Sequence, residues 1–284
     1  MTSILDLGVY RFAIEGCPSF ILPSLSTLYD DSLGLFPDKP IDFHLTIKNT
    51  SLLRRLIKPQ VSIYFDNQRP FHPIKKSLLL PSIEWGLNWC IASFDFNHLL
   101  IHSSVIVKNG KAIIFPAQPG SGKSTLATYL GLTGWYVYSD EMAIINLENQ
   151  QVRPMHRPSS LKNKSIEVIR ELIPDATMSP VAVGTHKGDI AHVKLTTRAG
   201  FNALCDADVI AVVFPKYREN QSLSIEELSQ TAGFSRLVHH AFNYNVLGID
   251  GFNTLKSVVD KSQFFNLSYS SYDGLNAFFS DLVM

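Results

Sequence analysis

The chain has 284 residues, 45% of them hydrophobic and 18% charged, which is enough apolar material for one large cored domain or two smaller ones and excludes a disordered chain. Lys plus Arg and Asp plus Glu both number 25, so there is no basic excess of the kind a nucleic-acid binder shows. No run approaches the 18 or so apolar residues of a membrane helix, and Met1 to Asp6 has no positively charged segment leading into an apolar one. The expectation is a soluble, cytoplasmic protein without a nucleic-acid or membrane partner. Cys17, Cys90 and Cys205 are far apart in apolar surroundings and read as buried free thiols rather than a metal set or a disulfide framework.

Short β-like runs, Val9 to Ile14, Phe43 to Ile47 and Val61 to Phe65, are punctuated by prolines from Pro18 to Pro81, Pro37 among them. They predict an irregular α/β or β-rich N-terminal lobe over residues 1–97. Ser82 to Phe94 reads as a helix whose stripe of Trp85, Trp89 and Cys90 faces a core. From residue 98 to 284 the pattern is that of a second domain. It opens with an apolar run, Leu99 to Val107, followed by Lys108-Asn109-Gly110-Lys111 and Ala112 to Phe115.

Asn-Gly between two apolar runs is a strong hairpin signal, because both central residues of the tight turn need positive φ. A two-residue turn at Asn109 and Gly110 sets opposite each other residues whose numbers sum to 219, which puts His102 opposite Ala117. A lone His beside an apolar strand is usually structural; this register places it at the mouth of the next motif.

That motif, Ala117-Gln118-Pro119-Gly120-Ser121-Gly122-Lys123-Ser124-Thr125, is a glycine-rich turn ending in Lys and Ser. It lies between a strand-like run and Thr125 to Leu130, which reads as an amphipathic helix, the context a phosphate-binding loop requires. Backbone N–H groups of Gly120 to Lys123 would cradle phosphates, the Lys123 ammonium would reach the β and γ oxygens, and the Ser124 hydroxyl would ligate Mg²⁺. Ala117 stands where the strict pattern has Gly. The glycine signature of dinucleotide folds is lacking here.

Gly134 to Ser139 is a predicted strand ending in Asp140-Glu141, the position from which P-loop proteins deliver a metal ligand or a water-orienting group. Asp140 is the candidate base and second metal ligand; a plain strand-to-turn Asp is the ordinary alternative. The later strand, Val209 to Phe214, ends in Pro215-Lys216 and offers no carboxylate. Arg153, Arg157 and Lys162 are gathered in a stretch with little acid, ahead of a helix from Ser165 to Ile173, and Lys187 sits in a second small basic loop, Gly184 to Gly188. Arg157, Lys162 and Lys187 are the candidates for a phosphate or substrate clamp, a solvated loop being the other reading. Helical patterns near Glu226 to Phe242, Phe252 to Lys261 and Tyr272 to Val283 close the chain.

With His102, the glycine loop and Asp140-Glu141 in register, the chain resembles the HPr kinase/phosphorylase superfamily, and most closely the proteins called HprK-related kinase A. The resemblance extends through Glu84 to Cys90, Arg157 to Asn163 and Phe242 to Gly248, from about residue 80 to the end. It implies an α/β fold with a P-loop kinase core of the HPr kinase and phosphoenolpyruvate-carboxykinase type, carrying an irregular N-terminal lobe. It implies transfer of the γ-phosphoryl group of ATP, with Mg²⁺, to a serine (or threonine) hydroxyl of a peptide, protein or small molecule, and a homo-oligomer after the hexameric habit of the HPr enzymes. Asp140 would be the general base, His102 would hold its carboxylate or share its proton, and Glu141 would stand beside them. Glu141 occupies a position where the family has Asp, and the phosphorylase signature of the bacterial enzymes is missing, so neither reverse phosphorolysis nor HPr as acceptor is implied. An ATPase or nucleotide-gated switch, and a silent nucleotide-binding adaptor, are the rival readings.

Overall fold

The computed structural model describes residues 2–35, 40–50, 59–66 and 68–284; Pro37 lies outside them. Two compact units are formed, one from Met1–Phe94 with Met155–Asn202, the other from Asp95–Pro154 with Ala203–Met284. The first stretch of the first unit ends at Phe94. The segment Met155–Asn202, expected in the second domain, groups with the N-terminal unit instead. His156 and Arg157 find partners there in Ser32 and Glu84, long-range choices that local pattern does not carry.

In chain order the first unit begins with strands β1 (Thr2–Asp6) and β2 (Arg11–Glu15), helix α1 (Leu22–Tyr29), β3 (Leu33–Gly34), β4 (Phe43–Asn49), β5 (Gln60–Phe65), β6 (Ile74–Lys75) and helix α2 (Leu79–Phe94). The strands form one sheet in the order β3-β1-β2-β4-β5-β6, with β2 and β4 parallel and the other neighbours antiparallel. The expected runs Phe43 to Ile47 and Val61 to Phe65 lie wholly in it, and Val9 to Ile14 from Arg11 onward. Gly86 is the close-approach glycine of α2, because a Cβ there would stand 1.8 Å from the Phe65 ring. Trp89 packs against the rings of Phe65 and Phe94, but of the expected core stripe only Cys90 is buried, Trp85 and Trp89 being half-buried.

The second unit opens with β7 (His98–Ile101), β8 (Ser103–Lys108), β9 (Lys111–Pro116), α3 (Lys123–Leu132), β10 (Tyr136–Ser139), β11 (Ala143–Asn146) and β12 (Val152–Arg153). The chain then supplies the first unit with β13 (Ser159–Lys162), α4 (Lys164–Leu172), β14 (Ala182–Thr185), β15 (Gly188–Val193) and α5 (Arg198–Asn202). It ends in the second unit with β16 (Asp208–Tyr217), β17 (Ser224–Leu228), α6 (Gln230–His240), α7 (Tyr244–Leu247), α8 (Ile249–Lys261), β18 (Gln263–Tyr269) and α9 (Leu275–Leu282).

The main sheet of the second unit has the order β10-β8-β9-β16-β18-β17. β9, β16 and β18 are mutually parallel, β8 is antiparallel to β9, and β10 is antiparallel to β8, so β10 runs in the direction of β9. Parallel strands buried on both faces read as continuous apolar runs, and Ile113, Ile114, Phe115, Val212 and Val213 are all fully buried. Each such side chain contributes about 1.5–3 kcal/mol on leaving water.

Three expectations change. The run Leu99 to Val107 is two strands, β7 joining β11 in a three-stranded sheet and β8 joining the main sheet, with His102 at the break. The helical pattern at Glu226 is the strand β17, an edge strand paired with β18 whose exposed glutamates keep it from templating another chain; the helix starts at Gln230, capped by Ser229 accepting from the Ala232 N–H. Of the free cysteines only Cys90 is buried; Cys17 is half-buried, and Cys205, in the loop between α5 and β16, is exposed.

Candidate functional site

β9 leaves the sheet at Pro116, and the chain turns within Ala117–Gly122 before α3 begins at Lys123. Gly120 and Gly122 take φ of 84° and 87°, a region only glycine enters without strain. A Cβ on Gly120 would meet nothing within 4 Å, so the loop is open there. A Cβ on Gly122 would stand 2.8 Å from Tyr269 Oη and 2.9 Å from Tyr217 Cβ, so that side is closed. Gly122 is the N-cap of α3 and, being glycine, offers no side-chain cap, while the Lys123 N–H donates to Ser121 Oγ at 3.4 Å. The residues present therefore suit a phosphate chain.

The hairpin behind the loop has the expected register. Asn109 and Gly110 both take positive φ, at 55° and 71°, and the ladder runs from Lys108↔Lys111 to Ser103↔Pro116. The ladder ends there, one residue short of His102. The His102 N–H donates to the His240 carbonyl at 2.8 Å, Ile101 bridges Ala241, and the Phe242 N–H donates to the Leu100 carbonyl at 2.8 Å. Asn243, 2% exposed, locks this edge: its Oδ1 accepts from the Leu100 N–H, and its Nδ2 donates to the carbonyls of Asp95 and His98.

β10 ends at the same sheet edge as β9. Ser139 Oγ accepts from the N–H groups of Glu141 and Met142, making the tight turn that presents Asp140 and Glu141. Asp140 is 4% exposed, and its Oδ1 accepts from Ser104 Oγ at 2.8 Å. Its carbonyl accepts from Lys123 Nζ at 2.6 Å. The loop lysine is thus joined to the main chain of the candidate base.

His102 Nε2 lies 3.8 Å from Glu141 Oε2, both side chains about a quarter exposed, and its ring is 5.7 Å from that of Phe242. The His102 imidazole thus faces the Glu141 carboxylate. His240 stands at this edge too: burial pushes its pKa down, and the charges of His102, His239 and Lys123 push the same way. Among the described residues no three His, Cys, Asp or Glu side chains form a metal cluster. Mg²⁺ needs none, being held typically by one or two protein oxygens together with substrate phosphates.

The clamp candidates Arg157, Lys162 and Lys187 belong to the first unit. Arg157, with a side chain 5% exposed, donates to the Glu84 carboxylate at 2.5 Å, to the Glu84 carbonyl at 3.0 Å and to Asn88 Oδ1. Tyr29 Oη donates to the same carboxylate at 2.5 Å. Lys187 Nζ lies 5.2 Å from the centroid of the Trp85 ring, and Lys162 ends β13 opposite Ile190. Arg153 belongs to the second unit, at 3.6 Å from Asp206.

Ser104 and His240 are the site residues that sequence reasoning passes over. Ser104 lies on β8, and the hairpin register that sets it opposite Phe115 was the signal that could have found it. His240 has no local signal, since only the pairing of residues 240–243 with 100–102 brings it in.

No protein-family model and no curated protein sequence matches the chain. Among solved structures, the HPr(Ser) kinase/phosphatase from Coxiella burnetii is similar at 10% sequence identity and a TM-score of 0.29, over 65% of this chain and 93% of that one. A likeness at that level fixes neither fold detail nor function. What stands is a mixed α/β protein of several sheets, in which no described helix is long and apolar enough to cross a membrane.

Proposed function

We propose that the chain is an ATP- and Mg²⁺-dependent kinase that transfers the γ-phosphoryl group to a serine (or threonine) hydroxyl of a peptide, protein or small molecule. The observation that carries this reading is Asp140: a buried carboxylate at the sheet edge of a glycine loop, tied through its own carbonyl to the loop lysine and through Oδ1 to Ser104. Phosphoryl transfer needs positioning, cations and a base more than covalent help.

ATP with Mg²⁺ supplies the phosphoryl group and neutralises charge as it moves. The loop from Ala117 to Gly122 would hold phosphates through backbone N–H groups, Lys123 would offer its remaining N–H donors to phosphate oxygens, and Ser124 with Asp140 would hold the metal. Asp140 accepts the proton of the acceptor hydroxyl, while the Ser104 hydroxyl keeps the carboxylate in one rotamer. His102 and Glu141, more exposed, form the rim over which the acceptor enters.

The test is single-turnover transfer from γ-labelled ATP to a serine-containing peptide, or autophosphorylation, with nucleotide binding followed by calorimetry. Asp140→Asn keeps shape and loses basicity, and is expected to bind ATP nearly as wild type while transfer falls by about two to four orders of magnitude. Lys123→Ala is expected to lose detectable binding and turnover. Transfer at the wild-type rate by Asp140→Asn overturns the base assignment. Rapid phosphate release independent of any acceptor makes the protein an ATPase.

A further inference from the structure

On the other side of the glycine loop the same sheet edge carries different chemistry. β16 and β18 follow β9 in the sheet and run parallel to it, so their last residues, Tyr217 and Tyr269, reach the C-terminal edge away from β8 and β10, which bring His102 and Asp140. Ligands of open α/β sheets bind at this edge, spread across strands on both sides of the loop.

Both tyrosines are tied to the loop. The Tyr217 N–H donates to the Ser121 carbonyl at 2.8 Å, and Tyr269 Oη donates to the Gly122 carbonyl at 3.3 Å. They differ in burial: Tyr269 is fully buried, whereas Tyr217 is 41% exposed. The Tyr269 ring meets that of Tyr217 at 5.7 Å and 78°, an edge-to-face contact, and Tyr272 backs Tyr269 at 5.8 Å. Such contacts hold the inner ring in one orientation. The outcome is an aromatic surface fixed from behind, open in front, and joined by main chain to the phosphate loop.

We propose that Tyr217 is the stacking platform for the nucleobase of the nucleotide whose phosphates the loop holds, an inference that rests on the kinase reading of the loop. A phosphate chain with its γ end toward Lys123 and Asp140 leaves its nucleoside end on the side where β16 and β18 deliver their tyrosines. Recognition by stacking uses the π-face that every base has, so affinity for ATP and GTP should be similar.

Calorimetry on the full chain with ATP, GTP and inorganic tripolyphosphate tests this, using wild type, Tyr217→Ala, Tyr217→Phe and Lys123→Ala. The Ser121 contact is made by the Tyr217 main chain and survives these substitutions. Tyr217→Ala is expected to weaken ATP and GTP by about 10- to 100-fold and leave tripolyphosphate within about threefold, while Tyr217→Phe binds all three as wild type does. Unchanged ATP affinity in Tyr217→Ala overturns the inference, as does an equal loss on tripolyphosphate, which would make Tyr217 a support of the loop. In both cases the loss of every ligand in Lys123→Ala leaves the phosphate-loop reading standing. Wild-type binding in Lys123→Ala removes that reading and the platform with it.

Discussion

The first unit buries Glu84 against Arg157 and sets Asp6, its side chain 1% exposed, between Arg11 and Arg198. The second buries Lys123 and Asp140 and joins them through a main-chain carbonyl, so that ammonium and carboxylate are not spent on each other. Burial opposes ionisation of Asp6, yet the Gly8 N–H, Arg11 and Arg198 hold its pKa below the usual carboxylate value. Charges neutralised pairwise hold structure. An ammonium has three donors and a carbonyl takes one, which leaves Lys123 capacity for a phosphate. The comparison shows that a buried cation is read by its partners: Arg157 resembles Lys123 in burial and differs in donating to a carboxylate as well as to a carbonyl and an amide.

The largest effect that could break this comparison is at Arg157. Arg157→Leu leaves the Glu84 carboxylate buried beside Tyr29 without its cation, and is expected to destabilise the protein by about 3–5 kcal/mol in urea denaturation. Replacing Glu84 by Gln in the same chain should recover much of the loss. An unchanged denaturation midpoint with transfer abolished would instead make Arg157 a substrate clamp and end the distinction between the units.

A smaller effect sharpens it through pH. Burial lowers the pKa of His156 in the first unit, with Arg198 and Lys194 adding to it, and burial together with His102, His239 and Lys123 lowers that of His240 in the second. A histidine lowered in the fold is protonated first in the unfolded chain. Its effect is therefore absent well above about pH 6.5 and costs stability as pH falls from there toward the folded value, by at most about 1.4 kcal/mol per pH unit for each group. His156 is 2% exposed and His240 half-buried, so His156→Gln should flatten the decline between pH 7.5 and 5.5 more than His240→Gln does. The reverse order, measured by the same denaturation series, would put the titrating burden in the candidate site.

The smallest effect is a control. Lys256 and Asp260 pair four residues apart on α8 with both side chains more than half exposed, and Lys256→Ala should cost less than about 0.5 kcal/mol and leave transfer unchanged. A larger cost would mean that surface pairs in this protein rival its buried ones.

The glycine loop, its strand and helix flanks, and the hairpin register were legible in the residues because each is a local matter. Gly120 and Gly122 are demanded by φ within the turn, and Asn109-Gly110 admits one tight turn, which alone sets Ser103 against Pro116. Only the tertiary structure decided that the chain breaks at His102 into strands of two sheets, that Ser104 holds Asp140 while His102 meets Glu141, and that Met155–Asn202 joins the N-terminal unit. Arg157 read as a clamp from its basic neighbours because its partner, Glu84, lies 73 residues away. Tyr217 and Tyr269 meet at the loop through the order β9-β16-β18, which is settled by burying whole sheet faces and not by any turn or motif the residues themselves display.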